Sequence, residues 1–65
     1  MEDDTLDLVI RLATRIGMIM EDASPIALRM AGQSEVEVRS SIEALSMASG
    51  KIAALMAAID ELAAA

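Results

Sequence analysis

The side chains able to do chemistry in this chain are carboxylates and a few cations. Asp3, Asp4 and Asp7 form one acidic group, Glu21 and Asp22 a second, Asp60 and Glu61 a third. Clustered carboxylates are ligands for Mg²⁺ or Ca²⁺. Neither the loop spacing of an EF-hand nor the Glu-x-x-His pair of di-iron bundles accompanies them. The expectation is solvated charge that complements helix ends, with no metal or other cofactor. Arg11 and Arg15 stand one helical turn apart, as a grip on carboxylate or phosphate would. Asp7 lies one turn before Arg11, so a surface ion-pair ladder is the simpler reading. The chain holds eight Ser and Thr residues but no His, no Cys and a single lysine, Lys51. A nucleophile therefore has no ordinary base beside it, and no Gly-rich phosphate loop is present. No catalytic residue can be named, and enzyme activity is not expected.

What remains is architecture. Sixty-five residues make one small domain, 1–65. A chain of this size buries only about 60% of the surface its unfolded form exposes. Small folds compensate with disulfides, metals or partner subunits, and the absence of Cys and His leaves the last. The composition is 55% hydrophobic without one aromatic residue, and the net charge is −6. That charge disfavours nucleic acid, whose phosphates need Lys and Arg, and disfavours anionic membrane surfaces. The start, Met1 to Asp7, is acidic and does not resemble a secretory signal. Arg11, Arg15, Lys51 and Asp60 interrupt the apolar stretches before the roughly 18 clean residues of a spanning helix accumulate. These features predict a cytoplasmic protein with no membrane partner.

The hydrophobic pattern is helical throughout, so the fold class is all-α: a helical hairpin with a short connecting helix. The first helix is expected at about 5–22, capped by Asp4 or Thr5. Its apolar residues, Leu6, Leu8, Val9, Ile10, Leu12, Ile16, Ile19 and Met20 among them, sweep an arc of roughly 200°, twice what one neighbour covers. Pro25 cannot sit inside a continuous helix without losing a hydrogen bond, whereas Ser24-Pro25 is a good helix start. A short helix over about 25–31 is therefore predicted, with Ile26 and Met30 on one face and Gly32 as a left-handed stop. Ser34 and Glu37 form a capping box that opens the last helix, about 35–62. Val38, Ile42, Leu45, Ser49, Ile52, Met56, Ile59 and Ala63 make its expected stripe, widened by Leu55 and Leu62. Glu35, Arg39 and Glu43 make a charge ladder on the other side.

Helices of ~27 Å and ~42 Å would leave the longer one overhanging its partner. The overhang and the wide arc both point to self-association as a dimer or tetramer. The residues expected at an oligomer or partner interface are Leu8, Leu12, Ile16, Ile19, Ile52, Leu55, Met56, Ile59 and Leu62. Met18 and Met47 fall outside the main stripes and are candidates for exposed contacts. Ala53, Ala54, Ala57 and Ala58 serve either helix propensity or a close-packed second interface. The alternative to self-association is a regulatory chain of adaptor, antitoxin or inhibitor type that docks its apolar face on a larger protein.

Ser49, Lys51-Ile52-Ala53 and Ile59-Asp60-Glu61-Leu62-Ala63 carry a local resemblance. Over Ser46 to Ala63 the sequence resembles the cytoplasmic signalling helices of methyl-accepting chemotaxis proteins. Those helices continue into a Gln-Thr-Asn hairpin tip that is missing here, and their modified glutamates come in adjacent pairs, whereas Glu43 stands alone. No functional residue is carried over. What the resemblance implies is a long antiparallel four-helix bundle formed by two chains.

Overall fold

The computed structural model describes residues 1–64. It consists of two long helices, α1 over Asp3–Leu28 and α2 over Glu35–Ala64, joined through a single 3₁₀ turn, Met30–Gly32. The helices fold back on each other as an antiparallel hairpin measuring 49 × 15 × 10 Å.

α1 begins earlier than expected and without a side-chain cap. Glu2 occupies the cap position, and Asp3 and Asp4 lie in the first turn, where their charge meets the positive end of the helix dipole. The larger correction concerns Pro25. No separate helix starts there; α1 runs through Pro25 for 26 residues and stops only after Leu28. Pro25 is exposed on the outer face, so its ring faces solvent and not α2. The hydrogen bond it cannot donate would go to the carbonyl of Glu21, an exposed residue that water can serve. Helical order resumes at once, with the Arg29 N–H donating to the Pro25 carbonyl at 3.1 Å.

Gly32 does not adopt the left-handed stop predicted for it; no described glycine has positive φ. The chain reverses instead through the 3₁₀ turn, closed by Gly32 N–H to Arg29 O at 3.3 Å and Gln33 N–H to Met30 O at 3.1 Å. Gln33 is extended, at φ −96° and ψ 156°, and α2 starts behind it. The N-cap half of the capping box is present, while no bond from the Ser34 N–H to the Glu37 carboxylate forms. The Ser34 hydroxyl accepts the Glu37 N–H at 3.3 Å and donates to the Glu37 carboxylate at 3.0 Å. The carboxylate thus reaches the Ser34 hydroxyl, where the sequence suggested the Ser34 N–H.

Two seams hold the hairpin together. On α1 the covered positions are Thr5, Val9, Leu12, Ile16, Ile19, Ala23 and Ile26, continued by Met30 in the turn. On α2 they are Val38, Ser41, Leu45, Ala48, Ile52, Leu55, Ile59 and Leu62. Both series alternate steps of three and four, a 3.5-residue repeat that keeps each stripe facing its partner. The α2 stripe differs from the expected one at alternate positions: Ile42, Ser49, Met56 and Ala63 are exposed, Leu55 and Leu62, expected to widen the stripe, are covered, and Ser41 and Ala48 join them. Side-chain size favoured Ile42 and Met56. Packing favours small residues opposite the bulky end of α1, where Ala44 and Ala48 share a groove with Ile19 and Ile26.

The expected overhang is also corrected. Because α1 has 26 residues against 30 in α2, the helices are nearly matched in length. Self-association therefore loses that support and rests on the width of the apolar arc.

Candidate functional site

The charged residues singled out by chemistry disperse along the outside of the hairpin. Arg11 Nε meets Asp7 at 3.1 Å, with both side chains mostly exposed. Arg39 meets Glu35 at 3.3 Å in the same manner. Each is an (i, i+4) surface pair of a few tenths of a kcal/mol. Arg15 lines a shallow depression with Leu12, Ile19, Lys51 and Leu55, while Asp22 and Lys51 border the groove beside Ala44. Among the described residues no three His, Cys, Asp or Glu side chains converge to hold a metal ion.

The polar contact that sequence reasoning missed is at the connection. Ser41 is 8% exposed, and its hydroxyl donates to Gln33 Oε1 at 2.8 Å. This bond ties the extended residue before α2 to the second turn of that helix. A serine in an apolar repeat was the available signal.

Apolar cover is thin. Ile16, at 7% exposure, is the one buried hydrophobic residue among those described. Leu12, Ile19, Ile52, Leu55, Ile59 and Leu62, expected at an oligomer interface, lie half-buried in the hairpin's own seam. Leu8 and Met56 are exposed, as are Met18 and Met47.

Five of the exposed large apolar residues, Leu6, Ile10, Met20, Ile42 and Met56, share one side of the hairpin, while Leu8, Met18, Leu28, Val36 and Met47 lie elsewhere. A second stripe runs along one flank of each helix, again with alternating steps of three and four. On α1 it contains Leu6, Ile10, Ala13, Gly17, Met20, Ser24 and Ala27, all exposed. On α2 it contains Ile42, Ser46, Ser49, Ala53 and Met56, all exposed. In an antiparallel pair these two stripes lie on the same side of the hairpin. Between Leu6 and Ala27 on one helix, and Ile42 and Met56 on the other, the flank carries no charge. The opposite flank holds Arg15, Asp22 and Lys51. The alanine cluster is split by this geometry. Ala53 belongs to the apolar flank, Ala58 is half-buried on the polar side, and Ala54 and Ala57 point outward.

One further feature concerns α2. It is 30 residues long and, by length and composition, apolar enough to cross a membrane. Lys51 interrupts the apolar run, but one lysine does not disqualify a segment, since its stem can carry the charge outward. In the hairpin α2 packs against α1, which carries Asp7, Arg11, Arg15, Glu21 and Asp22.

No protein-family model, no curated protein and no solved structure matches this chain.

Proposed function

We propose that this chain is a non-enzymatic helical hairpin that works by self-association into a helix bundle. The observation that carries the reading is the surface an isolated hairpin leaves exposed. Its accessible surface is 4996 Å² for 6.8 kDa. A compact monomer of that mass exposes ~4,000 Å². The excess, on the order of 1,000 Å², is close to the ~800 Å² that each partner contributes to a standard protein interface. The dimensions agree. The radius of gyration is 15.2 Å, where a compact domain of this length has about 11 Å. The hairpin is two helices thick in one direction and one helix thick in the other. A bundle needs a second layer, and a second copy supplies it.

Self-association makes folding depend on concentration, because assembly binds the folded form and not the unfolded one. The midpoint of thermal unfolding is expected to rise steadily from low micromolar to high micromolar chain. A midpoint independent of concentration over that range would remove this reading.

The length and apolarity of α2 favour a second reading, insertion into a bilayer. Insertion would have to separate α2 from α1, whose charges cannot follow it into hydrocarbon. Co-sedimentation with neutral lipid vesicles decides between the two: the bundle stays in the supernatant, and an inserted helix pellets.

A further inference from the structure

We infer that the uncharged flank is a self-complementary interface, and that two copies meet on it with their connections at opposite ends. This rests on the self-association reading and adds the face, the partner and the orientation. The hairpin register supplies the argument. Thr5 lies beside Leu62 and Ala63 at the open end, and Leu12 and Ile19 share a depression with Leu55. Helical spacing then brings Leu6 about level with Ala63, Ala13 with Met56, Met20 with Ser49, and Ala27 with Ile42. Each of these four levels pairs one large side chain with one small one, and the large one changes helix from one to the next, while the levels between them at Gly17 and Ala53 and at Ser24 and Ser46 are small on both helices.

Such a pattern fits a copy of itself. A two-fold axis lying in the interface and running across the helices inverts the order of the levels. Leu6 then meets the partner's Ala27, Met20 meets the partner's Ala13, and Met56 meets the partner's Ser49. Large groups enter the hollows above small ones, which is what an isologous interface requires. An axis along the hairpin would also pair large with small. It would, however, bring Asp3 and Asp60 of both copies to one end, four carboxylates together. The crossing axis separates these acids and carries them toward the partner's Arg39. Like charges held close cost energy that separated ones do not, so the crossing arrangement is favoured.

Gly17 is placed to serve this interface. It stands mid-helix, where glycine costs roughly 1 kcal/mol relative to alanine. A Cβ built there meets nothing within 4 Å, as at Gly50 in α2, so packing within the hairpin requires neither glycine. In the proposed dimer Gly17 sits near the two-fold axis and lets the two α1 backbones approach. The flank is about 32 Å long and two helices, ~20 Å, wide. Its face of ~600 Å² per copy approaches the standard ~800 Å².

Disulfide trapping of the full chain tests the orientation, because the chain has no cysteine of its own. The crossing axis brings Gly17 of one copy against Gly17 of the other. Gly17→Cys alone is therefore expected to oxidise to a covalent dimer as the main species. An axis along the hairpin would place Gly17 against the partner's Ala53. Then Gly17→Cys alone stays uncrosslinked, while an equimolar mixture with Ala53→Cys crosslinks, and the orientation is overturned. Met47→Cys, on the opposite flank, should not crosslink at the same protein concentration; if it is the variant that does, the face is wrong. Circular dichroism of each variant confirms helicity before oxidation. If the native chain is dimeric by mass and neither Gly17→Cys nor the mixture crosslinks, the face fails and self-association stands. If the native chain is monomeric, both fail.

Discussion

Single residues in this hairpin matter in proportion to how little else is buried. Ile16 sits at the centre of the α1 stripe and is the most covered apolar residue among those described. Truncating a buried isoleucine to alanine costs ~2–5 kcal/mol. A chain of this length has a total stability of only about 3–10 kcal/mol at the usual per-residue value. Ile16→Ala is expected to remove about half of that stability, seen as a large drop in the denaturant midpoint of helical circular dichroism. Ser41 acts through a hydrogen bond. Its hydroxyl and Gln33 Oε1 satisfy each other in a half-covered corner where the chain turns into α2. Ser41→Ala should cost about 1 kcal/mol, the usual net worth of such a bond. Gln33→Ala should cost a similar amount, and the double variant little more than either. Denaturant titration of the four proteins measures the coupling; strictly additive losses would show that the pair does not act as a unit.

At the scale of elements, Pro25 is the informative position. The helix tolerates it because it lies near the α1 end, on the outer face, with a solvated carbonyl left over. Its intrinsic penalty in a helix interior remains, about 3 kcal/mol relative to alanine and smaller near a helix end. Pro25→Ala is therefore expected to raise stability by about 1–2 kcal/mol without changing the assembled mass. A loss of stability would mean that the proline is needed to end α1. The same position shows what could be read from the sequence. The helical class, the hairpin and the Ser34–Glu37 cap follow from local chemistry, and each is present. The α1 end was hidden because the cost of a proline depends on where its ring points, which only packing decides. The α2 seam was half visible. Val38, Leu45, Ile52 and Ile59 belong to both possible stripes. Size pointed to Ile42 and Met56, while close approach to Ile19 and Ile26 selects Ala48, and Ser41 turns inward to bond Gln33. The second stripe was present in the sequence as an arc too wide for one neighbour. It became a defined flank once the first neighbour had taken its share.

At the scale of the whole molecule, two helices cannot enclose a core. Each covers one stripe of the other, and the remaining apolar flank of each stays open. The charge distribution sorts the two flanks: Arg15, Asp22 and Lys51 keep one wetted, and the other is neutral along its middle. A polar substitution in the neutral flank should separate assembly from hairpin formation. Ala13→Glu, exposed in the hairpin, should lower the assembled mass while leaving the chain able to form helix at high concentration. Light scattering combined with circular dichroism follows both. The central claim, that the folded unit is more than one chain, is tested most directly by sedimentation equilibrium of the native protein at micromolar concentration. Self-association through the neutral flank gives an expected mass about twice the 6.8 kDa of the chain. A well-folded, fully helical species at the mass of a single chain would contradict it.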